Sequence, residues 1–293
     1  MKLRDIYARP GLTVSVEFFP PKTPKGDADL LREVETIKEA LRPAFCSVTY
    51  GAGGSTKDKT VELVTQLHRD LALQVMCHLT VVNQSKDEVR GVLKQLKAND
   101  VENIIALRGD PPGGGDDWVP HPDGFLYSRQ LVEEARAHGD WFSIAVAGFP
   151  EVHPRAESRE SDLRYLKEKV DAGADAVITQ LFLDNDDYYR YVEDARRIGV
   201  TVPIVPGVLP IQSTAQIRRF TAMCASKIPP KLEAPLVKVE NDNEAAVQLG
   251  IDYATEQCEG LIRFGVPGIH FYSLNKSRSV LAISKNLALT TTV

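Results

Sequence analysis

Apolar and polar positions along this chain alternate between two periods. Short apolar, often β-branched runs are followed by longer segments whose apolar residues recur every third or fourth position, the pattern of strands leading into amphipathic helices. The first run, Thr13–Val16, leads into Glu17, two aromatic rings and Pro20-Pro21, a stop that neither a helix nor a central strand continues. Asp27–Leu41 then reads as a helix, with Leu30, Leu31, Val34, Ile37 and Leu41 on one face. Further strands are predicted over Phe45–Tyr50, Leu73–Leu79, Asn103–Leu107, Ser143–Ala147, Ala176–Phe182, Pro203–Val208 and Gly268–Tyr272. Helices are predicted over Thr56–Leu71, through Val89, Val92, Leu93 and Leu96, and over Tyr127–His138, Ser158–Ala172, Asp186–Ile198, Ser213–Met223, Glu244–Phe264 and Ser277–Leu287. Two stretches break the rhythm. Pro111–Gly124 is dense in Pro, Gly and Asp, as functional or mobile loops are, and Ala225–Asn243 reads as an excursion holding Pro229, Pro230 and Pro235.

Strand–helix units that repeat from end to end without a composition break predict an α/β protein with an all-parallel sheet covered by helices. Eight such units in 293 residues fit one single-domain (β/α)₈ TIM barrel. The runner-up, a doubly wound open sheet, would carry G-x-G-x-x-G after an early strand, and Gly51-Ala52-Gly53-Gly54 lacks that spacing.

Charge and cysteine usage remove other classes. A formal net charge of -5, with no basic run, argues against a nucleic-acid footprint. No apolar run reaches the ~18 residues of a membrane-spanning helix, and the first residues lack the apolar core of a leader. Cys46, Cys77, Cys224 and Cys258 form no C-x-x-C pair, so neither a zinc site nor a disulfide framework is expected, and a reduced cytoplasmic protein is.

In a barrel, functional side chains gather at the carboxyl ends of the strands. Those ends carry Glu17, Thr49, His78, Arg108-Gly109-Asp110, Phe149 with His153, Gln180, and Tyr272 with Asn275 and Lys276. A Glu beside Phe18 and Phe19 has two readings. Burial lifts it above its free value of ~4.3 and makes it a general acid, or it turns to solvent or pairs with a Lys. His78 is either a satisfied core histidine or a ligand contact. Arg108 and Asp110 form a local ion pair or flank a ligand, with Gly109 permitting close backbone approach. Gln180 offers an uncharged amide to a flat heterocycle without burying a charge. Tyr188-Tyr189 reads as packing.

The stretches Val16-Glu17-Phe18-Phe19-Pro20-Pro21-Lys22, Val48-Thr49-Tyr50-Gly51-Ala52-Gly53-Gly54, Cys77-His78-Leu79-Thr80, Leu107-Arg108-Gly109-Asp110-Pro111-Pro112, Pro150-Glu151-Val152-His153-Pro154, Thr179-Gln180-Leu181-Phe182, Pro206-Gly207-Val208-Leu209-Pro210 and His270-Phe271-Tyr272-Ser273-Leu274-Asn275 occur in this order. Together they resemble the signatures of the methylenetetrahydrofolate reductase family. The resemblance implies a barrel that holds FAD and reduces 5,10-methylenetetrahydrofolate to 5-methyltetrahydrofolate with NADH or NADPH in a ping-pong scheme. It places Glu17 on the family's general acid and Asp110 on an aspartate near flavin and folate. Gln180 matches an amide that meets pterin and nicotinamide, while Gln216, Phe220, Tyr272 and Lys276 match the folate side. Thr49, Tyr50, Ala52, His78, Arg108, Gly109, Asp110, Tyr127, Ser128, Phe149, His153, Ala156, Asp162, Tyr165 and Lys169 match FAD-lining positions. Phe149 stands where many members carry Tyr, so one hydroxyl contact is expected to be missing. The Pro111–Gly124 loop is longer than the family's usual one. The chain stops soon after its last helix, so the regulatory domain of eukaryotic members is expected to be absent. No reader of a 2′-phosphate separates NADPH from NADH, and a homo-oligomer remains open. Two alternatives stay beside the reductase: a flavin-independent pterin-binding methyltransferase or lyase, and a non-catalytic folate-binding subunit.

Overall fold

The computed structural model describes residues 1–51, 57–110 and 119–289. Among these, nine strands form one all-parallel sheet in the order β7-β6-β5-β4-β3-β2-β1-β9-β8. The strands are β1 (Thr13–Phe18), β2 (Phe45–Val48), β3 (Val75–Thr80), β4 (Asn103–Leu107), β5 (Ser143–Gly148), β6 (Ala176–Thr179), β7 (Ile204–Val205), β8 (Gly207–Val208) and β9 (Gly268–Tyr272). The helices are α1 (Leu3–Tyr7), α2 (Pro24–Leu41), α3 (Lys57–Leu71), α4 (Lys86–Ala98), α5 (Ser128–Arg136), α6 (Arg159–Asp171), α7 (Asn185–Arg197), α8 (Thr214–Cys224), α9 (Pro230–Lys238), α10 (Asn243–Phe264) and α11 (Ser277–Asn286).

The barrel closes through a broken strand. Sequence reading expects one strand over Pro203–Val208, but Pro206 has no N–H to give a ladder and divides it. Before the proline, Ile204 and Val205 pair with β6; after it, Gly207 and Val208 pair with β9. The carbonyl of Pro206 still accepts from the His270 N–H at 3.0 Å, so the seam stays bonded. On the far side β1 pairs with both β2 and β9. The result is a (β/α)₈-type barrel, with the β7–β8 pair serving as its seventh stave.

Helix starts follow from local chemistry. Thr23 accepts from Gly26 N ahead of Pro24, Ser85 and Glu88 form a capping box, and the Ser158 and Ser213 side chains cap α6 and α8. Two helices escape the sequence pattern. Helix α9 lies inside the proline-rich excursion. Its Pro229-Pro230 pair suits a helix start, and Leu232 and Leu236, one turn apart, are buried against Leu181, Leu209, Ile211 and Ile217, which offsets the interior Pro235.

Helix α1 is too short to show a period. It stoppers the amino end of the barrel, where Leu3 and Ile6 pack on Phe45, Met76, Ile105, Ala145, Ile178 and Val205. Its own first residues supply no side-chain cap. Instead the buried Asn103 accepts from Leu3 N at 2.8 Å, and Ser143 Oγ accepts from Arg4 N at 3.2 Å. Other strand ends are shorter than the pattern suggests: β2 stops at Val48 and β6 at Thr179, which leaves Thr49 and Gln180 in the loops above the barrel.

The stopper yields a prediction. Leu3 is fully buried, so Leu3→Ala should lower the unfolding free energy by about 2–5 kcal/mol in a denaturant titration. A loss under about 1 kcal/mol would mean that α1 is only loosely seated.

Candidate active site

Strand alternation sends Ser15 and Glu17 to one face of β1 and His270 and Tyr272 to one face of β9. The register sets Ser15 beside His270 and Glu17 beside Tyr272, with Ser47 of β2 on the other side of Glu17. The side chains meet inside the barrel. Ser15 Oγ lies 2.7 Å from His270 Nδ1 and Ser47 Oγ lies 3.3 Å from His270 Nε2. The Glu17 carboxylate is 3.1 Å from His78 Nε2, 3.6 Å from His270 Nε2 and 3.5 Å from Ser47 Oγ. Its backbone carbonyl accepts from Ser273 Oγ at 2.6 Å, which fixes the end of β1 to the loop after β9.

Burial pushes the Glu17 carboxyl up, but the charge of His78 and the close approach of both imidazoles outweigh it and hold the group at about 2. This corrects the expectation of a raised value. The apolar strand end does desolvate Glu17, yet the fold brings two imidazoles to it that local sequence does not reveal. Glu17 is therefore an ionised carboxylate within a carboxylate–imidazole cluster. His78 is buried against Glu17, a contact that fits either of its two readings.

A second group lines the βα loops after β4 and β5. Gly109 has φ +84, and a Cβ there would lie 2.6 Å from Val82 Cγ1 and 2.8 Å from Thr80 Cβ, so only glycine fits. Arg108 does not pair with Asp110; its Nε donates to the Gly109 carbonyl at 3.3 Å. Burial and the charge of Arg155 lower the Arg108 pKa. Burial, then Arg108 and Lys169, lowers that of His153. Lys169 donates to the Ala147 carbonyl at 2.6 Å, and burial brings its amine down to about 8. The Asp162 carboxylate, raised by burial, accepts from His153 N at 3.1 Å. Burial is the first cause for Arg108, His153 and Lys169, with neighbouring cations adding to it at Arg108 and His153. Phe149 meets His153 edge-on at 4.5 Å, with Ala156 N bonded to the His153 carbonyl at 2.8 Å.

A third group faces the same mouth from α8 and the ends of β6 and β9. Gln216 accepts from Gln212 N at 3.0 Å, while its Nε2 is buried without a protein partner, a donor that a ligand would satisfy. Phe220, one turn on, is half-buried under the Arg219 guanidinium at 5.4 Å. Gln180 Oε1 accepts from Leu181 N at 2.8 Å. The Tyr272 hydroxyl donates to the Thr179 carbonyl at 2.5 Å, and Gly207 leaves room for its ring, since a Cβ there would sit 2.4 Å from Tyr272 Oη. Burial, then the nearby Glu17 charge, pushes the Tyr272 phenol well up.

Other expected residues lie less centrally. Asp110 is exposed at the rim. Thr49 is half-buried and accepts from Thr60 Oγ1 through its carbonyl, and Tyr50 is buried with its hydroxyl on Gln84. Tyr127 and Tyr165 are 63% and 48% exposed and make no contact with the cluster, and Ser128 opens α5. Lys276 is exposed and lies 3.9 Å from Glu33 of α2, outside the cluster. Ala52 and much of the Pro111–Gly124 loop lie outside the described residues. Tyr188 packs on Phe182 and Phe264, as expected. Sequence reading missed Ser15, Ser47 and His270 as site residues. The alternation within β1 and β9 was the available signal: it places each one strand position below a residue already singled out, or beside it.

A closed parallel barrel whose strand ends carry a carboxylate–imidazole cluster beside a basic shelf has the make-up of a barrel enzyme. The family model described as methylenetetrahydrofolate reductase matches residues 2–288. The chain belongs to the methylenetetrahydrofolate reductase family. It is 39% identical over 298 residues to "Methylenetetrahydrofolate reductase (NADH) 1" of Arabidopsis thaliana, covering 98% of this chain and 50% of that one. It is 36% identical over 277 residues to "5,10-methylenetetrahydrofolate reductase" of Salmonella typhimurium, covering 94% of this chain and 90% of that one. The chain thus spans about half the length of the plant relatives and most of the bacterial one. Among solved structures, an uncharacterized Clostridium thermocellum protein that binds two copies of 5-methyl-5,6,7,8-tetrahydrofolic acid superposes with a TM-score of 0.67 over 97% of this chain and 98% of that one. At 18% identity that likeness speaks for the fold alone.

The Glu17 environment predicts a pH signature. Its folded value of about 2 lies below the ordinary 4.5, so its contribution to stability is complete above pH 4.5 and is lost as pH falls from 4.5 toward 2. The unfolding free energy of the native chain minus that of Glu17→Gln should therefore fall through that window. A difference that does not vary with pH would mean that the imidazoles do not hold the carboxylate.

Proposed function

We propose that this chain, with FAD bound, reduces 5,10-methylenetetrahydrofolate to 5-methyltetrahydrofolate at the expense of NADH or NADPH. The observation that carries the reading is the Glu17 carboxylate held between His78 and His270 at the carboxyl end of the barrel, in a chain of this family. Arg108, His153 and Lys169 would hold the cofactor's diphosphate end, with Asp162 fixing the His153 backbone, and Gly109 would let its backbone approach. FAD, when bound there, would supply the hydride chemistry between nicotinamide and folate.

The protein's own part is acid chemistry and positioning. The one-carbon unit of methylenetetrahydrofolate bridges N5 and N10, and opening that ring requires a proton at N10. Glu17 delivers it. Because the imidazoles hold Glu17 ionised, a proton shared within the cluster passes through the carboxyl as it is transferred, so the acid is the cluster and not Glu17 alone. Ring opening leaves a cation at N5, and the Asp110 carboxylate at the rim favours that charge. Gln216 Nε2 donates to the folate, Gln180 reaches the pterin edge, and Phe220 covers the ring. Tyr272, tied to Thr179, keeps the wall beside Glu17 in place. Gln180 and Phe220 suit a mouth that receives nicotinamide and folate in turn.

Two measurements test this reading. The purified protein should be yellow. In stopped-flow, Glu17→Gln should leave flavin bleaching by NADH intact while slowing reoxidation by methylenetetrahydrofolate by at least ~10²–10⁴, the ordinary worth of a positioned acid. Equal slowing of both half-reactions would make Glu17 a shaping residue, and a colourless protein would favour the flavin-independent barrel. Asp110→Asn should retain FAD and slow the folate half-reaction about 10²–10³-fold; an unchanged folate rate would remove the aspartate from the mechanism.

A further inference from the structure

The loop after β5 carries a strained residue and a carboxylate that the chemistry above does not use. Val152 has φ +75, a left-handed conformation that a β-branched residue adopts only when its surroundings force it. On one side of it is His153, on the other Glu151. The Glu151 carboxylate accepts from the Lys227 backbone N–H with both oxygens, at 2.9 and 3.2 Å. Lys227 lies just past the carboxyl end of α8, where Ala225 turns the chain at φ +53. Between them Ser226 Oγ donates to the Leu181 carbonyl at 3.0 Å. The end of α8 is thus fastened to the loops after both β5 and β6.

Burial and the charges of Asp187 and Asp184 at the start of α7 raise Glu151, while the N–H and the charge of Lys227 oppose them. The two-oxygen contact with the Lys227 N–H is what ties this half-buried carboxylate to the end of α8. The loop itself is anchored elsewhere, since Arg159 donates to the Pro150 carbonyl at 3.2 Å and is paired with Asp194. Glu151 therefore fastens α8 to a loop already fixed. That loop presents Phe149, His153 and Ala156, and α8 presents Gln216 and Phe220.

We infer that Glu151 is a positioning residue that sets the folate-side wall on α8 at a fixed distance from the cofactor shelf on the β5 loop. The inference rests on the reductase reading for its ligands, but the clamp can be read without any reaction. Glu151→Ala frees the α8 end, while Glu151→Gln keeps an acceptor oxygen without the charge.

The test pairs amide hydrogen exchange with half-reaction kinetics on the FAD-loaded protein. In Glu151→Ala, exchange over residues 224–229 should rise about tenfold or more, and the methylenetetrahydrofolate concentration giving half the maximal reoxidation rate should rise about tenfold, the size expected for loss of a charge-assisted hydrogen bond. FAD retention, bleaching by NADH and the limiting folate rate should change less than about threefold. Glu151→Gln should recover most of the exchange protection and the folate affinity. Unchanged exchange in Glu151→Ala overturns the clamp. Faster exchange with unaltered folate affinity, or with equal loss of FAD, overturns its positioning role. A native protein that binds FAD yet is never reoxidised by folate would overturn the reductase reading, while the exchange result would still decide whether Glu151 holds α8.

Discussion

A carboxylate taken into the mouth of a parallel barrel must be met by charge or hydrogen bonds, because an unpaired buried anion costs several kcal/mol. Much of the site follows from how this chain meets that requirement at Glu17. Two imidazoles, from β3 and β9, approach the carboxylate, and serines from β1 and β2 take up the nitrogens of the second. The His270 contacts exist only once the barrel is closed, since β9 reaches β1 only after the whole chain has gone round. Closure in turn depends on the broken seventh stave, where Pro206 ends one ladder and Gly207 begins the next with no room for a side chain. The chemistry of the first strand is thus completed by the last.

Below this polar layer the barrel is apolar, and α1 closes it. The order of layers matters for function. An apolar floor with a helical stopper keeps water from reaching the cluster from below, so the ionisation of Glu17 responds to its histidines and to whatever enters from the mouth. The mouth has distinct walls: a basic shelf with a glycine-exposed backbone, and a wall on α8 with an orphaned amide donor. A flat, anionic cofactor and a flat heterocyclic substrate suit that division.

Much of this was legible in the sequence. Short continuous apolar runs between amphipathic segments gave the strand and helix order, and the polar residues at strand ends marked Glu17, His78, Arg108 and Tyr272 as neighbours around a rim. Three things were not legible. Helix α1 has five residues, too few for a period to register. Helix α9 was masked by prolines whose placement at its start is compatible with helix. The charge state of Glu17 was inferred from the rings beside it, whereas it is set by histidines from distant strands. Its nearest sequence neighbours do predict desolvation, and desolvation is present; it is outweighed. The same alternation that placed Glu17 and Tyr272 on inward faces also places Ser15 and His270 there, so the partners were readable once the pairing of β1 with β9 was known.

The central claim is that Glu17 rests as an anion held by the two imidazoles. The most direct measurement is infrared difference spectroscopy of the native chain against Glu17→Gln at neutral pH, with glutamate carboxyl carbons isotopically labelled. The account predicts an ionised carboxylate band assigned to Glu17 and no protonated carboxyl band from it. A protonated carboxyl band would contradict the account, because it would mean that burial, and not the pair of histidines, sets the state of the acid.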